Sequence, residues 1–270
     1  MGIYLNQVGY QTEGVKIAVT TAPCNFQIIR ETDQISVFDG TSTEGGFDAA
    51  SGDTTYHIDF SEVTVPGRYY ILTGDKQKSP LFTIGDDVYK QLQLDLMKCL
   101  YYQRCGCALT EEYAGEYTHA ACHTTPAIFL EDYLNKTENP KSFDMTGGWH
   151  DAGDFGRYST AGAVALAHLL YAYELFPESF QDSLNIPESK SSMPDILCEC
   201  MYELKWLLKM QAEDGGVYHK LTSFCHADFV MPEDDHMQFL IFPVSSMAVA
   251  DFAAVMALAS RVYRPFDEAF

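Results

Sequence analysis

The hydrophobic pattern of this chain of 270 residues changes period near Gly85. Before that residue, apolar and polar residues alternate in short runs such as Tyr56–Phe60, and glycines and prolines separate the runs. After it, apolar residues recur at helical spacing behind Asp86 and Asp87, which are favourable helix caps. The change predicts two domains, an all-β domain over residues 1–85 and a helical domain over residues 86–270.

The alternating runs of the first domain predict six or seven strands in about eighty-five residues, without a helix-length apolar stripe. This density of short strands is typical of an immunoglobulin-like sandwich. No group of residues in this domain suggests catalysis.

The second domain is predicted to contain a helix behind Asp86 and Asp87 and three later helices, with no further strands. The later helices are predicted over Ser159–Phe176, Pro194–Gln211 and Ser245–Tyr263, each followed by proline or glycine. The last helix is apolar or small on nearly every face, so other elements should surround it. So few helices indicate part of a larger helical barrel or bundle, and we expect its remainder to be missing.

Charge and composition limit the partners. The 17 basic and 38 acidic residues give a formal net charge of -21, which disfavours nucleic acid and anionic membrane surfaces and favours a neutral or cationic ligand. The apolar run Met247–Ser260 is expected to be too short to span a bilayer. The first residues lack signal-peptide features, and the eight cysteines are expected to be mostly reduced and buried, so a cytoplasmic location is favoured while secretion stays open.

The segment Gly147–Thr160, GGWHDAGDFGRYST, is the clearest candidate for chemistry. Asp151 and Asp154 are three residues apart, so both carboxylates can face one cleft and together position and deprotonate a water molecule. A helix cap or a calcium site is the alternative for such a pair. Trp149 beside flexible glycines favours catalysis, because an exposed indole can stack on a sugar ring.

Two cysteines and two histidines form a second candidate set: Cys105, Cys122, His123 and His150. Two thiolates and two imidazoles are common ligands of a closed tetrahedral zinc site, although this spacing matches no short finger pattern. Cys99, Cys107 and His119 are close enough in sequence to compete, and scattered buried cysteines are the alternative. A metal with four protein ligands would have a structural role.

With these residues in view, the chain resembles glycoside hydrolase family 9, in the subgroup with an N-terminal immunoglobulin-like domain. The segments that carry the resemblance are IYLNQVGY, YYQRCG, EYAGEYTHAACH, GGWHDAGDFGRY, PDIL, WLLKMQ and GGVYHKLT. They extend over essentially the whole chain, and the GGWxDAGDxGxY pattern is highly specific.

The resemblance implies an inverting β-1,4-glucanase whose catalytic domain is an (α/α)6 barrel, with about the first half present in this chain. It implies that Asp154 is the general base, that Asp151 helps to hold the water, and that the substrate is cellulose, a cellodextrin or a related β-glucan. It also implies a structural zinc on the four residues named above. Three residues of the matching segments are predicted to bind the substrate: Trp149, Tyr158 and His219.

Two departures from the family pattern affect these expectations. Cys198 replaces an aspartate in the segment PDILCE, so a calcium ion near this segment is a weaker expectation than the zinc. The family's general acid is a glutamate farther downstream, and neither Glu233 nor Glu268 lies in its motif. The chain alone is therefore expected to be inactive without the second half of the barrel, and a glucan-binding or structural remnant is the alternative function.

Overall fold

The computed structural model describes residues 2–267, so Glu268 lies outside the described residues. The chain divides into two compact units, Met1–Asp95 and Leu96–Phe270. The division falls within the first helix, α1 (Lys90–Tyr102).

The first unit consists of two antiparallel sheets. Its strands are β1 (Ile3–Tyr4), β2 (Ile17–Thr20), β3 (Asn25–Arg30), β4 (Ser36–Thr41), β5 (Thr43–Asp48), β6 (Asp53–Asp59), β7 (Gly67–Thr73) and β8 (Phe82–Ile84). One sheet has the order β1-β2-β6-β5 and the other β4-β3-β7-β8. Only Ser42 separates β4 from β5, so the chain passes between sheets without a turn.

The core of the first unit follows the alternation in the sequence. Phe82 and Ile84 are buried on either side of the exposed Thr83, and Ile58 on one sheet belongs to the same apolar cluster as Ile28 on the other. Residues of both sheets therefore form one core, and the predicted β-sandwich is confirmed.

The second unit contains the remaining helices. Besides α1 they are α2 (Glu111–Ala114), α3 (Leu130–Asn135), α4 (Ser159–Leu175), α5 (Asp195–Lys209) and α6 (Ser246–Tyr263). The three predicted later helices are α4, α5 and α6, each within two residues of its predicted bounds. Ser245 caps α6 by accepting the N–H of Ala248, as its position predicts. The caps predicted for the first helix are wrong, since α1 begins at Lys90 behind a turn closed on the Asp87 carbonyl.

The expectation of no strands in this unit is wrong. Five short strands form one sheet of order β10-β9-β13-β12-β11. They are β9 (Ala127–Phe129), β10 (Ser142–Phe143), β11 (Arg157–Tyr158), β12 (Lys220–Thr222) and β13 (Leu240–Ile241). Strands of two or three residues are too short to display a period of two, so the pattern could not indicate them.

Helix α6 is buried on one face only. Phe252, Val255 and Ala259 lie in the core shared with α4 and α5, whereas Met247 is 60% exposed. The exposed face agrees with the expectation that elements needed to surround this helix are missing from the chain, as far as the described residues show. Helix α6 is long and apolar enough to cross a membrane, whereas the sequence predicted that the run Met247–Ser260 would be too short. A core helix of a globular domain meets the same criterion of length and composition.

Candidate active site and metal centre

The segment that contains the two aspartates runs from the end of β10 to the start of α4. The conformation of its backbone requires two of its glycines. Gly147 and Gly148 have φ values of 101° and 78°, in the region that favours glycine. A Cβ atom on Gly148 would lie 2.7 Å from the ring of Trp206 on α5. The two glycines therefore let the backbone pass directly over this buried indole.

Trp149 is buried, with 7% of its surface exposed, so the expectation of an exposed indole is wrong. Its backbone N–H donates to Glu203 Oε2 at 2.6 Å, and its indole Nε1–H donates to Glu199 Oε1 at 2.8 Å. Sequence reasoning missed both acceptors, although a buried indole N–H needs a partner and α5 supplies the two carboxylates. Trp149 thus anchors the segment to α5.

Asp154 combines one held oxygen with one free oxygen. Its Oδ2 accepts the hydroxyl of Tyr158 at 2.7 Å, while none of the described residues hydrogen-bonds its buried Oδ1. Burial and this bond raise the pKa of Tyr158 to about 12, so the phenol is a hydrogen-bond donor at neutral pH. Oδ1 is therefore a buried acceptor that none of the described residues uses.

Asp151 is exposed three residues before Asp154. Partial desolvation of its carboxyl and, second, the charge of Asp154 raise the pKa of Asp151. The turn between them ends at Phe155, whose φ of 55° is unusual for a residue other than glycine. That both carboxylates face one cleft stays a prediction, because only Asp151 of the pair lines the cavity described below.

His226 is a neighbour of Asp154 that sequence reasoning missed. Its Nδ1 lies 3.6 Å from Asp154 Oδ2, and its side chain is 68% exposed. It belongs to the long connection between β12 and β13, in the segment FCHADF. A single histidine in a loop carries no spacing signal, so only the fold relates it to the aspartates.

A cavity of about 170 Å³ lies beside Asp151. Its lining includes Trp149, Asp151, Tyr158 and Glu203. His219, also predicted to bind substrate, is not among the lining residues, because its Nδ1 lies 2.9 Å from Ser245 Oγ at the N-terminus of α6. Four of the predicted site residues, Trp149, His150, Asp151 and Tyr158, therefore line one cavity, whereas Asp154 and His219 do not.

A group of buried charged side chains, which we call the layer, lies next to this cavity. Arg104 Nε is 3.1 Å from both carboxylate oxygens of Glu199, and Arg104 also pairs with Glu188. Glu203, one helical turn after Glu199, has no such cation, and burial raises its pKa to about 8. The layer joins the segment YYQRCG, which contains Arg104, to α5.

The four predicted metal ligands form one buried cluster. The ligand atoms of Cys105, Cys122, His123 and His150 all lie within 4.8 Å of one another. Cys105 Sγ is 3.6 Å from His123 Nδ1, Cys122 Sγ is 3.8 Å from His150 Nε2, and the two nitrogens are 3.3 Å apart. The competing residues Cys99, Cys107 and His119 are not members of the cluster.

These separations fit a tetrahedral ion. Zinc bond lengths of 2.3 Å to sulfur and 2.0–2.1 Å to nitrogen give tetrahedral edges of about 3.6 Å between sulfur and nitrogen and about 3.3 Å between nitrogens. Hydrogen bonds with Cys105 and the two imidazoles lower the pKa of the Cys122 thiol, whereas burial raises the pKa of the Cys105 thiol and lowers the pKa of His150. A metal would bind these side chains as thiolates and neutral imidazoles.

The calcium expectation gains no support from the segment PDILCE. Asp195 Oδ2 accepts hydrogen bonds from Leu184 N, Ser183 Oγ and Ser189 Oγ at 2.5–3.1 Å. Cys198 Sγ lies 3.3 Å from Ser191 Oγ. All eight cysteines are free thiols, as expected, but Cys99 and Cys225 are exposed rather than buried.

Two family models match the chain. The cellulase N-terminal ig-like domain matches residues 1–78, and glycosyl hydrolase family 9 matches residues 89–270. The fold and the site thus define a class of two-domain protein: a β-sandwich followed by a helical unit, with two aspartates in the loop before β11. The chain belongs to glycosyl hydrolase family 9.

Individual relatives agree with this assignment. A cellodextrinase of Butyrivibrio fibrisolvens is 46% identical over 98% of this chain and 48% of its own length. The crystal structure of a metagenome-derived glycoside hydrolase family 9 endoglucanase superposes with a TM-score of 0.87 at 36% identity, over 99% of this chain and 51% of that one. A Zn-binding triple mutant of a family 9 endoglucanase, J30, superposes with a TM-score of 0.86 at 35% identity, over 96% and 49%. The chain spans about half the length of the curated relatives it matches.

Proposed function

We propose that the protein hydrolyses β-1,4-glucosidic bonds with inversion, and that Asp154 is the general base. The observation that supports this proposal is that the two oxygens of the Asp154 carboxylate have different surroundings. Oδ2 accepts a hydrogen bond from Tyr158, while Oδ1 has no partner among the described residues. A base so oriented can accept a proton from a water molecule that attacks the anomeric carbon. Asp151 is proposed to accept the second hydrogen of that water.

The proposed substrate is a short β-1,4-linked glucan. Such a chain is uncharged, which suits a protein with a formal charge of -21. The relative of 46% identity is named for cellodextrins, which favours a soluble oligosaccharide over crystalline cellulose. Trp149 and Tyr158 are proposed to border the sugar bound next to the aspartates, since both line the cavity. His219 is proposed to act there only indirectly, through the end of α6.

The stereochemistry of the product tests this function. The protein from the complete reading frame should be mixed with a cellodextrin, and the products followed by proton NMR before mutarotation. Inversion at a β-linkage predicts that the α-anomer of the new reducing end appears first. Appearance of the β-anomer first, or no hydrolysis of cellodextrins, carboxymethylcellulose or xyloglucan, would contradict the proposal.

We also propose that the cysteine and histidine cluster holds one structural zinc ion. The match between its interatomic separations and the edges of a zinc tetrahedron supports this identity. With four protein ligands the ion has no open position, so it would fix the polypeptide rather than polarise the substrate. Its place is significant, because His150 immediately precedes Asp151.

Elemental analysis of protein purified without added metal tests the zinc proposal. We expect about one zinc per chain. Cys122→Ser should lose the ion, whereas the control Cys99→Ser, which alters an exposed thiol outside the cluster, should keep it. Zinc retained at full stoichiometry in Cys122→Ser would exclude this cluster as the site.

A further inference from the structure

The connection between β12 and β13, residues 223–239, reaches both functional sites of the second unit, and we call it the His226 loop. Near its start, His226 Nδ1 lies 3.6 Å from Asp154 Oδ2. Near its end, Asp235 Oδ2 lies 3.2 Å from His123 Nε2 in the metal cluster. One loop therefore contacts the proposed base at one end and a proposed metal ligand at the other.

The middle of the His226 loop exposes most of its large apolar side chains, although Ala227 packs against the core and the Phe224 ring lies 5.6 Å from the Tyr133 ring. Phe229 is fully exposed, and Phe224 and Met231 are 57% and 51% exposed. Asp235, by contrast, has a side chain that is 1% exposed. The buried end is therefore a main anchor of the loop, because exposed side chains contribute little to fixing a backbone.

Both oxygens of the Asp235 carboxylate are used. Oδ1 accepts the backbone N–H of Met237 at 2.9 Å, which shapes the turn that leads back to β13. Oδ2 faces His123, whose side chain is completely buried. A buried carboxylate without partners would be costly, so the contact with His123 is what allows Asp235 to remain there.

The two nitrogens of His123 have different neighbours. Nδ1 faces the cluster, 3.6 Å from Cys105 Sγ and 3.3 Å from His150 Nε2. Nε2 faces Asp235, so the proton of a neutral ring belongs on Nε2 and the lone pair on Nδ1. A carboxylate that accepts the distal N–H of a metal-bound imidazole fixes its tautomer and orientation and strengthens it as a ligand.

We propose that Asp235 is a positioning residue that ties the His226 loop to the metal centre, so that occupancy of the centre sets the place of His226 beside Asp154. The inference rests on the proposed metal centre and deepens its role. The centre already fixes the aspartate segment through His150. Through Asp235 it would fix the facing loop as well, and thus hold together the two sides of the catalytic pocket.

Metal affinity provides the first test. Purified protein from the complete reading frame would be titrated with zinc in the presence of a chromophoric chelator. We expect Asp235→Ala to weaken binding about 10- to 100-fold, and Asp235→Asn, which keeps an acceptor without charge, to weaken it less. The matched control Asp234→Asn changes the exposed neighbour and should bind as the wild type does.

Two further measurements separate positioning from simple folding. In the cobalt(II) form, Asp235→Ala should shift the ligand-field bands, because the His123 ring loses its orientation. Hydrogen exchange of residues 224–231 should slow when metal is added to the wild type and to Asp234→Asn, and should respond little in Asp235→Ala.

The outcomes distinguish the two proposals. Loss of zinc in Cys122→Ser together with wild-type affinity and unchanged loop exchange in Asp235→Ala would overturn the role of Asp235 and leave the metal centre intact. Zinc retained in Cys122→Ser would overturn the centre itself. Weakened affinity in Asp235→Ala with metal-independent loop exchange in the wild type would overturn the coupling to His226.

Discussion

Glu203 is the residue whose environment departs furthest from what its type predicts. It is 1% exposed, accepts the backbone N–H of Trp149, and has no ion-pair partner among the described residues. Arg157 and Glu199 are the nearest charges that influence it, and they act in opposite directions. Burial dominates, so the neutral acid is the form that suits this site.

This burial predicts a pH dependence of stability. The pKa of Glu203 is about 8 in the folded protein, against about 4.3 for an unperturbed glutamate. At a pH between these two values, Glu203 is protonated in the folded state and ionised in the unfolded state. The free energy of unfolding therefore falls as the pH rises, and the contribution of Glu203 is lost as the pH passes through about 8. Glu203→Gln, which imitates the neutral acid, should flatten this fall.

The free energy of unfolding, measured in urea from about pH 5 to about pH 9, checks this prediction. Glu178→Gln, a change of the same type at an exposed residue, should keep the wild-type pH profile. An equal slope in Glu203→Gln and wild type would mean that Glu203 is ionised in the folded protein.

Residue types in the motifs that carry the family resemblance were the most informative sequence signal at this scale. All four members of the metal cluster were predicted, and Asp151 and Asp154 were placed together. Burial could not be predicted in the same way: Trp149 was expected to be exposed, and Glu203 and Asp235 were not noticed. Their positions depend on contacts across 54 and 112 residues, which no local pattern contains.

Among the elements, the packing of α4 against α5 depends on Gly162. A Cβ atom at this position would overlap Glu203 Oε1. The carboxylate cannot simply rotate away, because its other oxygen holds Trp149 N–H and the side chain is surrounded. Gly162 is therefore required by close approach rather than by backbone conformation.

The Gly162→Ala variant tests this packing, because the contact determines whether the substitution raises or lowers the free energy of unfolding. In an ordinary helix interior the change stabilises by about 1 kcal/mol. Here we expect destabilisation by about 1–3 kcal/mol, since the methyl group overpacks the contact. Combined with Glu203→Ala, which removes the obstructing carboxylate, the same change should become neutral or stabilising in chemical denaturation. A stabilised single variant would contradict the contact.

Element prediction succeeded where the pattern was long. Helices α4, α5 and α6 each extend over several turns, and proline, glycine or serine marks at least one end of each. The five strands of the second unit have two or three residues, and their sheet joins segments from Ala127 to Ile241. Such a sheet is specified by tertiary contacts, so sequence periodicity cannot indicate it.

For the molecule as a whole, the site is built from distant parts of the chain. The metal cluster draws on residues 105–150, Asp235 extends it, and His226 reaches Asp154 across 72 positions. The resemblance to a family supplied this long-range organisation before the fold was known. The residues alone left a helix cap, a calcium site and scattered cysteines as alternatives.

The turnover of Asp154→Asn tests the central claim most directly. The variant keeps the side-chain shape and an oxygen for Tyr158 but cannot accept the proton of the attacking water. In protein from the complete reading frame, kcat on cellodextrins should fall by about 10²- to 10⁴-fold while the Kd for the substrate changes little. Asp53→Asn, an exposed aspartate in the first unit, serves as the control and should match the wild type. A kcat for Asp154→Asn close to that of the wild type would contradict the assignment of the base.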